Sequence, residues 1–426
     1  MLGARWSALA TRRDFRLLVA VAFVGLHLLL FARLASLRLG VPFDASPGAE
    51  PAFARLSEPL SRASPAHWDR LAVSRFDAQH YIALALRGYS QCPAQDLRHA
   101  NLPEIVKYCG FSFYPGYPLL GRIVALGNRI PIDYALFGTS ILASIVFLYL
   151  WTSSTITSAL GVGTTYLALL LFNVFPTGFT LVTVQTEPTV LALTMGAFLG
   201  IARRNYLLAG VLAGAASGMR VSGAATSAAV GVALVVSLFV DPPKGWLAWR
   251  RRSAAAVLSA WGLLAIVGYF GLVYSDPLLY FHAHSQAYGY LEVAASGLSP
   301  EFVYRTLETA MRPGIWVAFC LLWLALGLRS AVSGFPPLGR AFAASFTIVG
   351  ASIALWGSSR IAFMGMNRYW LLTFPLFWAI AVVVKQRPVA GVLWVALCAW
   401  AYWNVDLCVY ACQTEATRAC RLSPSR

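Results

Sequence analysis

A short segment, "SRFDAQHYIALALRGYS" (Ser74 to Ser90), gathers an Asp, a Gln, a His and two Tyr inside a chain otherwise dominated by long apolar runs. On a helix Asp77 and His80 lie one turn apart and share a face, where they would offer a carboxylate and an imidazole at a water boundary. A carboxylate so placed suits a general base acting on a hydroxyl, the more so where partial desolvation raises its pKa. The same residues also fit a purely structural role. Ser74 followed by Asp77 matches a capping box, with "YIALALR" as the helix body and Gly88 as its terminator. The two roles are compatible.

Other polar residues stand out against apolar surroundings. Glu187 directly precedes Pro188 between two apolar runs; Pro suits a first helical turn and an acid there is favoured by the helix dipole, yet an ionisable residue at a span boundary is also a site candidate. Arg220, in "MRVSG", is flanked by Ala/Gly-rich sequence. With Arg360 and Arg368 it would form a clamp for a phosphate, to which Arg offers bidentate contacts, or it would snorkel to headgroups. The aromatic, Pro-rich "FSFYPGYPLLGRIV" (Phe111 to Val124), with Tyr114 near its centre, reads as an interfacial anchor or as one wall of a substrate groove. His282 and His284, two residues apart in "YFHAH", lack the accompanying spacing of a known metal site. The sequence indicates no metal or cofactor requirement.

The elements that must position these groups are membrane helices. An apolar fraction of 58% with 12% charged residues and a mean hydropathy of +0.65 exclude an ordinary soluble domain. The net charge of +16 does not indicate a nucleic-acid surface, because the basic residues cluster in short loops between apolar runs. Those runs fall near 15–37, 133–155, 163–182, 188–202, 206–222, 224–240, 253–274, 314–329, 341–358, 369–384 and 388–404, which makes about eleven transmembrane helices. The N-terminal run is long for a signal peptide and reads as a retained span. Residues 206–240 read as a hairpin turning near "MRVSG", because basic clusters at both ends require an even number of crossings.

Basic loops place the N-terminus in the cytoplasm. The expected chain is one membrane domain spanning 1–426, with exoplasmic segments at 38–132, 275–313 and a tail at 405–426. Of seven cysteines, Cys92 and Cys109 pair in one reading, as do two in the tail, Cys412 and Cys420 being the candidates; free thiols are the alternative. The expected location is a bacterial cell membrane with the site facing the periplasm, or the endoplasmic reticulum membrane in a eukaryote.

Taken in order, the segments resemble the PIG-V family of polytopic mannosyltransferases, whose eukaryotic members add the second mannose to the GPI anchor precursor. "RFDAQHYIALALRGY" is similar to that family's W-D-x-x-H/Y-F/Y-x-x-I-A-x-x-G-Y signature, and "FSFYPGYPLL" to its F-F-P-x-x-P-L. "FPTGFTLVTVQTEP", "RRNYLLAGVLAGAASGMRVSG", "SDPLLYFHAHSQAYG" and "MNRYWLLTFPLFWAIA" resemble later family segments in the same order, from about residue 70 to 384. Phe76 stands where the family has Trp, and Gln185-Thr186-Glu187 where it has Tyr-Ser-Glu.

The resemblance implies an all-α GT-C glycosyltransferase fold with a large first exoplasmic loop. It also implies a polyprenyl-phosphate sugar donor, most simply mannose, and a glycan, glycolipid or protein acceptor. Carried over, Asp77 is the catalytic carboxylate and Glu187, Arg220 and Arg368 line the site. The complete expected set adds Arg360 to the phosphate clamp and Gln79, His80, Tyr114 and His284 to the substrate lining. The competing expectation is a transporter or flippase of a lipid-linked saccharide, for which paired broken helices near the midplane would speak.

Overall fold

The computed structural model describes residues 9–10, 12–38, 77–89, 110–127, 129–288, 332–358 and 371–401. Among them the regular structure is helical, with no strand. In chain order the helices are α1 (Arg13–Arg38), α2 (Asp77–Arg87), α3 (Gly116–Val124), α4 (Ile132–Trp151), α5 (Ser154–Leu160), α6 (Val162–Asn173), α7 (Glu187–Ala202) and α8 (Tyr206–Met219). They continue as α9 (Ala224–Val240), α10 (Trp246–Ser259), α11 (Trp261–Tyr274), α12 (Leu279–Tyr288), α13 (Pro337–Ser358), α14 (Pro375–Gln386) and α15 (Pro388–Ala401).

Ile132–Trp151 and Val221–Val240, 20 residues each, are long and apolar enough to cross a membrane, since 20 residues rise about 30 Å. Two further pairs reach that length only if each is counted as one bent span: α5 with α6, bent by 106°, and α10 with α11, bent by 52°. The protein is thus an α-helical membrane protein with two to four candidate spans among the described residues. The apolar run 314–329 lies outside them.

Local sequence explains where the helices stop. Gly161 at φ 81° turns the chain between α5 and α6, a backbone state that glycine adopts without penalty. The run 163–182 is not one helix as its apolarity suggests. It ends at Asn173, and Pro176–Val182 winds as a 3-10 helix, because Pro lacks the N–H of the helical ladder and crowds the preceding turn. At the bend after α10, the Ser227 hydroxyl reaches the Ser259 carbonyl at 2.5 Å and Ser259 itself donates back to Ala256. Such side-chain intrusions are a recognised cause of helix bends.

The chain reverses between α8 and α9. The Ser227 hydroxyl also lies 3.5 Å from the Ala213 carbonyl, whereas 14 residues of continuous helix would separate them by about 21 Å. Glycines recurring every fourth residue on α8 let its neighbours approach: a Cβ on Gly210 would collide with Ala255 and one on Gly214 with Leu258 and Trp261. A Cβ on Gly218 would sit 3.3 Å from Gly262. Small residues at this spacing are how membrane helices gain van der Waals contact without a hydrophobic driving force.

Two buried clusters result. The larger one centres on aromatic packing between α4, α6, α7, α13 and α14, with Trp151, Phe172, Phe374 and Trp378 fully buried. The smaller one joins α2, the segment 110–117, the start of α4, α11 and α12 through Tyr81, Tyr89, Phe111, Phe113, Tyr117 and Phe270.

Candidate functional site

The site is built on the smaller cluster. Asp77 opens α2 and is partly exposed. The helix stops at Gly88, whose φ is +68° and whose N–H bonds the Leu84 carbonyl at 2.9 Å, a left-handed C-terminal cap. Just beyond it, Tyr89 is clamped. Its hydroxyl donates to the Phe113 carbonyl at 2.5 Å, and its own carbonyl accepts from Tyr274 at 3.0 Å. The His80 ring stacks on Phe113 with centroids 4.3 Å apart, and the Tyr81 ring meets Phe113 and Tyr117 edge-on, each at 5.4 Å. One turn of α2 is therefore held in a fixed rotation against "FSFYPGYP".

The "QTE" segment reaches the same place by a different route. Residues 177–191 are buried throughout, so the non-helical backbone among them needs internal partners. Helix α4 supplies them. Ser144 donates to the Leu181 carbonyl at 2.6 Å and Ser140 to the Gln185 carbonyl at 3.1 Å. The Tyr117 and Ser140 hydroxyls meet at 2.7 Å, and Tyr117 also reaches the Leu136 carbonyl at 2.8 Å. Helix α7 then begins at Glu187 with Pro188 in its first turn.

Arg220 leaves the helical conformation at the end of α8 with φ −163° and ψ 154°, which turns its side chain away from the helix ladder and toward α7. Its guanidinium donates to Glu187 Oε1 at 2.8 Å and to the Thr186 hydroxyl at 3.2 Å. The side chains of this ion pair are 9% and 0% exposed. The Tyr81 hydroxyl lies 3.4 Å from the same Thr186 oxygen. Burial raises the pKa of the Tyr81 phenol above its ordinary value; the Arg220 charge opposes this, while those of Asp77 and Glu187 add to it. Tyr81 thus stays a neutral hydroxyl between Asp77, one turn earlier on the same helix face, and the ion pair.

Four segments that lie far apart in sequence therefore meet in one polar cluster: α2, 110–117, 185–187 and Arg220. Close backbone approach completes it. A Cβ on Gly116 would collide with the Gly218 carbonyl and stand 3.0 Å from Met219 Sδ. Chemically the cluster offers a partly exposed carboxylate, a partly exposed imidazole, a neutral phenol and a buried ion pair.

The expected residues fare differently. Asp77, His80, Tyr114, Glu187 and Arg220 fall in this neighbourhood, with Tyr114 packed edge-on against Tyr280 at 4.5 Å. Arg220 differs from its expectation as a phosphate clamp, because its charge is already matched by Glu187. Gln79 and His284 lie on α2 and α12, and their side chains are outside the described residues, as are Arg360, Arg368, Cys92, Cys109, Cys412 and Cys420. His282 pairs with Asp276 at 2.9 Å on the protein surface, and among the described residues no group of three or more His, Cys, Asp or Glu forms a metal-binding cluster.

The sequence reading missed Tyr81, Thr186, Tyr117 and Ser140. A signal for Ser140 existed, since Thr139, Ser140 and Ser144 stripe one side of an otherwise apolar helix. The remaining three carried none beyond adjacency to the segments already singled out. Comparison of the chain with protein-family models, with curated proteins and with solved structures finds no match.

Proposed function

We propose that this protein is a GT-C type glycosyltransferase of about eleven membrane helices that uses a polyprenyl-phosphate sugar, most simply mannose, with Asp77 as general base. The observation that supports the reading is the convergence just described: four of the six segments that resemble the PIG-V family meet around Tyr81, Thr186, Glu187 and Arg220, with Asp77 at the edge of that cluster. The acceptor would be a glycan, glycolipid or protein on the exoplasmic face, in a bacterial cell membrane or the endoplasmic reticulum membrane. The N-terminus would be cytoplasmic and the C-terminus exoplasmic.

In this reading Asp77 takes the proton from an acceptor hydroxyl as its oxygen attacks the anomeric carbon. The bond from that carbon to the phosphate oxygen breaks on the opposite face, the electron pair leaves with the polyprenyl phosphate, and the anomeric configuration inverts. A phosphate leaving group needs cations more than a proton, so one base is sufficient on the acceptor side. Because Glu187 neutralises Arg220, the role assigned to Arg220 shifts from clamp to positioning residue for Thr186 and the 185–187 turn. The clamp then falls to Arg360 and Arg368. His80 and Tyr114 line the acceptor side.

The test incubates purified protein and its Asp77→Asn variant with labelled polyprenyl-phosphate mannose and a panel of acceptor extracts. Wild type should transfer label, and the variant should be slower by about 10²- to 10⁴-fold, the usual worth of a positioned base. Equal transfer by both removes Asp77 from the role, and no transfer by wild type removes the reading.

A second reading has one observation in its favour. The α5–α6 and α10–α11 pairs are bent at short breaks, and discontinuous helices are a feature of transporters. Their breaks lie at Gly161 and Ala260, whereas the polar residues that carry the resemblance gather around the Glu187–Arg220 pair, which is why the enzyme is preferred. Movement of a labelled lipid-linked saccharide across proteoliposomes without transfer to any acceptor would reverse that preference.

A further inference from the structure

Helices α7 and α8 carry the Glu187–Arg220 pair at one end and a second charged cluster at the other, about 24 Å away for the 16 residues of α7. In that second cluster the Asp241 carboxylate is held by three groups: the Tyr206 hydroxyl at 3.1 Å, Arg204 at 3.4 Å and Arg252 at 3.3 Å. Arg252 also bonds the Asp241 and Ser237 carbonyls, and its guanidinium lies over the Tyr206 ring, 5.0 Å from the centroid. These bonds pin the turn between α9 and α10, and with it the rotation of α10.

That rotation decides what α10 presents. Arg252, Ala255 and Ser259 face inward, while Trp246 is 78% exposed and Leu247 and Trp249 are about half exposed. Lys244, Arg250 and Arg251 are exposed on the same turn. Trp246 and Arg250 are four residues apart, as are Leu247 and Arg251, so ring, aliphatic chain and cation alternate along one face. Residues 241–252 hold four basic side chains against one acid, a net +3, and that acid is already engaged. The outward cations therefore have no acidic partner on their own turn, and the apolar side chains beside them are of the type that inserts at the headgroup level.

We infer that the α9–α10 turn is a binding site for the phosphate headgroup of an anionic phospholipid, with Lys244, Arg250 and Arg251 contacting the headgroup and Trp246, Leu247 and Trp249 entering the acyl boundary beside it. The inference is independent of the proposed enzymatic activity. Its occupant is a membrane lipid rather than a soluble phosphate, because the cations are interleaved with exposed apolar side chains of the type that inserts at the headgroup level, which a soluble phosphate leaves uncovered.

The test is native mass spectrometry of the full-length protein in neutral detergent with equal amounts of phosphatidylglycerol and phosphatidylcholine. Wild type should retain phosphatidylglycerol preferentially, and Arg250→Gln/Arg251→Gln should weaken that retention by about five-fold for each arginine removed. Lys385→Gln/Arg387→Gln, at another exposed basic turn, should leave it unchanged. As a check that does not depend on the variants folding, raising the salt should release phosphatidylglycerol but not phosphatidylcholine from wild type. Equal retention of the two lipids, salt-insensitive retention, or undiminished binding by the Arg250/Arg251 variant overturns the inference.

Discussion

Replacing Glu187 by Gln keeps the shape of the site but leaves the Arg220 charge buried. At 2.8 Å and an effective dielectric of about 20, the two charges attract by roughly 6 kcal/mol. Desolvation of both ions offsets much of this when the whole pair is compared with an apolar one, whereas removing a single partner strands the other. Glu187→Gln should therefore destabilise the fold by about 3–5 kcal/mol, while Glu187→Leu/Arg220→Leu should recover most of that loss. The assay is equilibrium unfolding in detergent followed by intrinsic tryptophan fluorescence, with Glu187→Leu and Arg220→Leu completing a double-mutant cycle. If Glu187→Gln is as stable as wild type, the pair is solvated and the closed polar cluster is wrong. If the double variant is no better than the single one, Glu187 owes its effect to partners other than Arg220. Under the proposed function the rescued double variant should still transfer sugar poorly, because Thr186 would have lost the Arg220 donor that fixes it.

Two further substitutions test the geometry around that pair. Tyr81→Phe keeps the ring between Phe113 and Tyr117 and removes only the hydroxyl contact to Thr186, so it should cost about 0.5–1.5 kcal/mol. Because burial holds the phenol above its ordinary pKa, Tyr81 is neutral in both folded and unfolded chains between pH 5 and about 9. The stability difference from wild type should be flat over that window, and a slope in denaturation curves taken across it would contradict the assignment. Gly116→Ala drives a Cβ into the Gly218 carbonyl, backbone that cannot swing aside, and should cost about 1–3 kcal/mol. The control Gly138→Ala, on α4 with nothing within 4 Å of its Cβ, should instead gain up to about 1 kcal/mol in helix propensity. Equal effects of the two in thermal denaturation would refute the close approach.

Much of the helical framework was legible because apolar runs and their breakers are local signals. Residues 206–240 illustrate this: their Ala/Gly-rich sequence and terminal basic clusters imply a reversal at "MRVSG", and the Ser227 contact to Ala213 is that reversal. The run 163–182 is not one helix, because apolarity alone does not register the break that Pro176 imposes. Glu187 and Arg220 were each singled out, but not as a pair. Thirty-three residues separate them, and their meeting depends on α7 and α8 packing antiparallel with Arg220 in an extended conformation, which no local pattern encodes.

The 3-10 segment bears on why such a pair exists at all. A chain that only had to cross the bilayer had the apolarity to continue α6 through residue 182. Instead the helix ends at Asn173, just before Pro176, and Ser144 at Leu181 and Ser140 at Gln185 bond the carbonyls beyond it. Non-helical backbone shut away from water needs partners inside the protein, and residues 177–191 are buried. The break has a positional consequence: Thr186 and Glu187 begin a new helix level with the end of α8, where Arg220 and Tyr81 reach them. The new helix starts at Glu187, and there the carboxylate meets Arg220 at 2.8 Å. The break in the helix and the polar cluster are therefore linked, and Asp77 lies at the cluster's edge, one turn before the Tyr81 that touches Thr186.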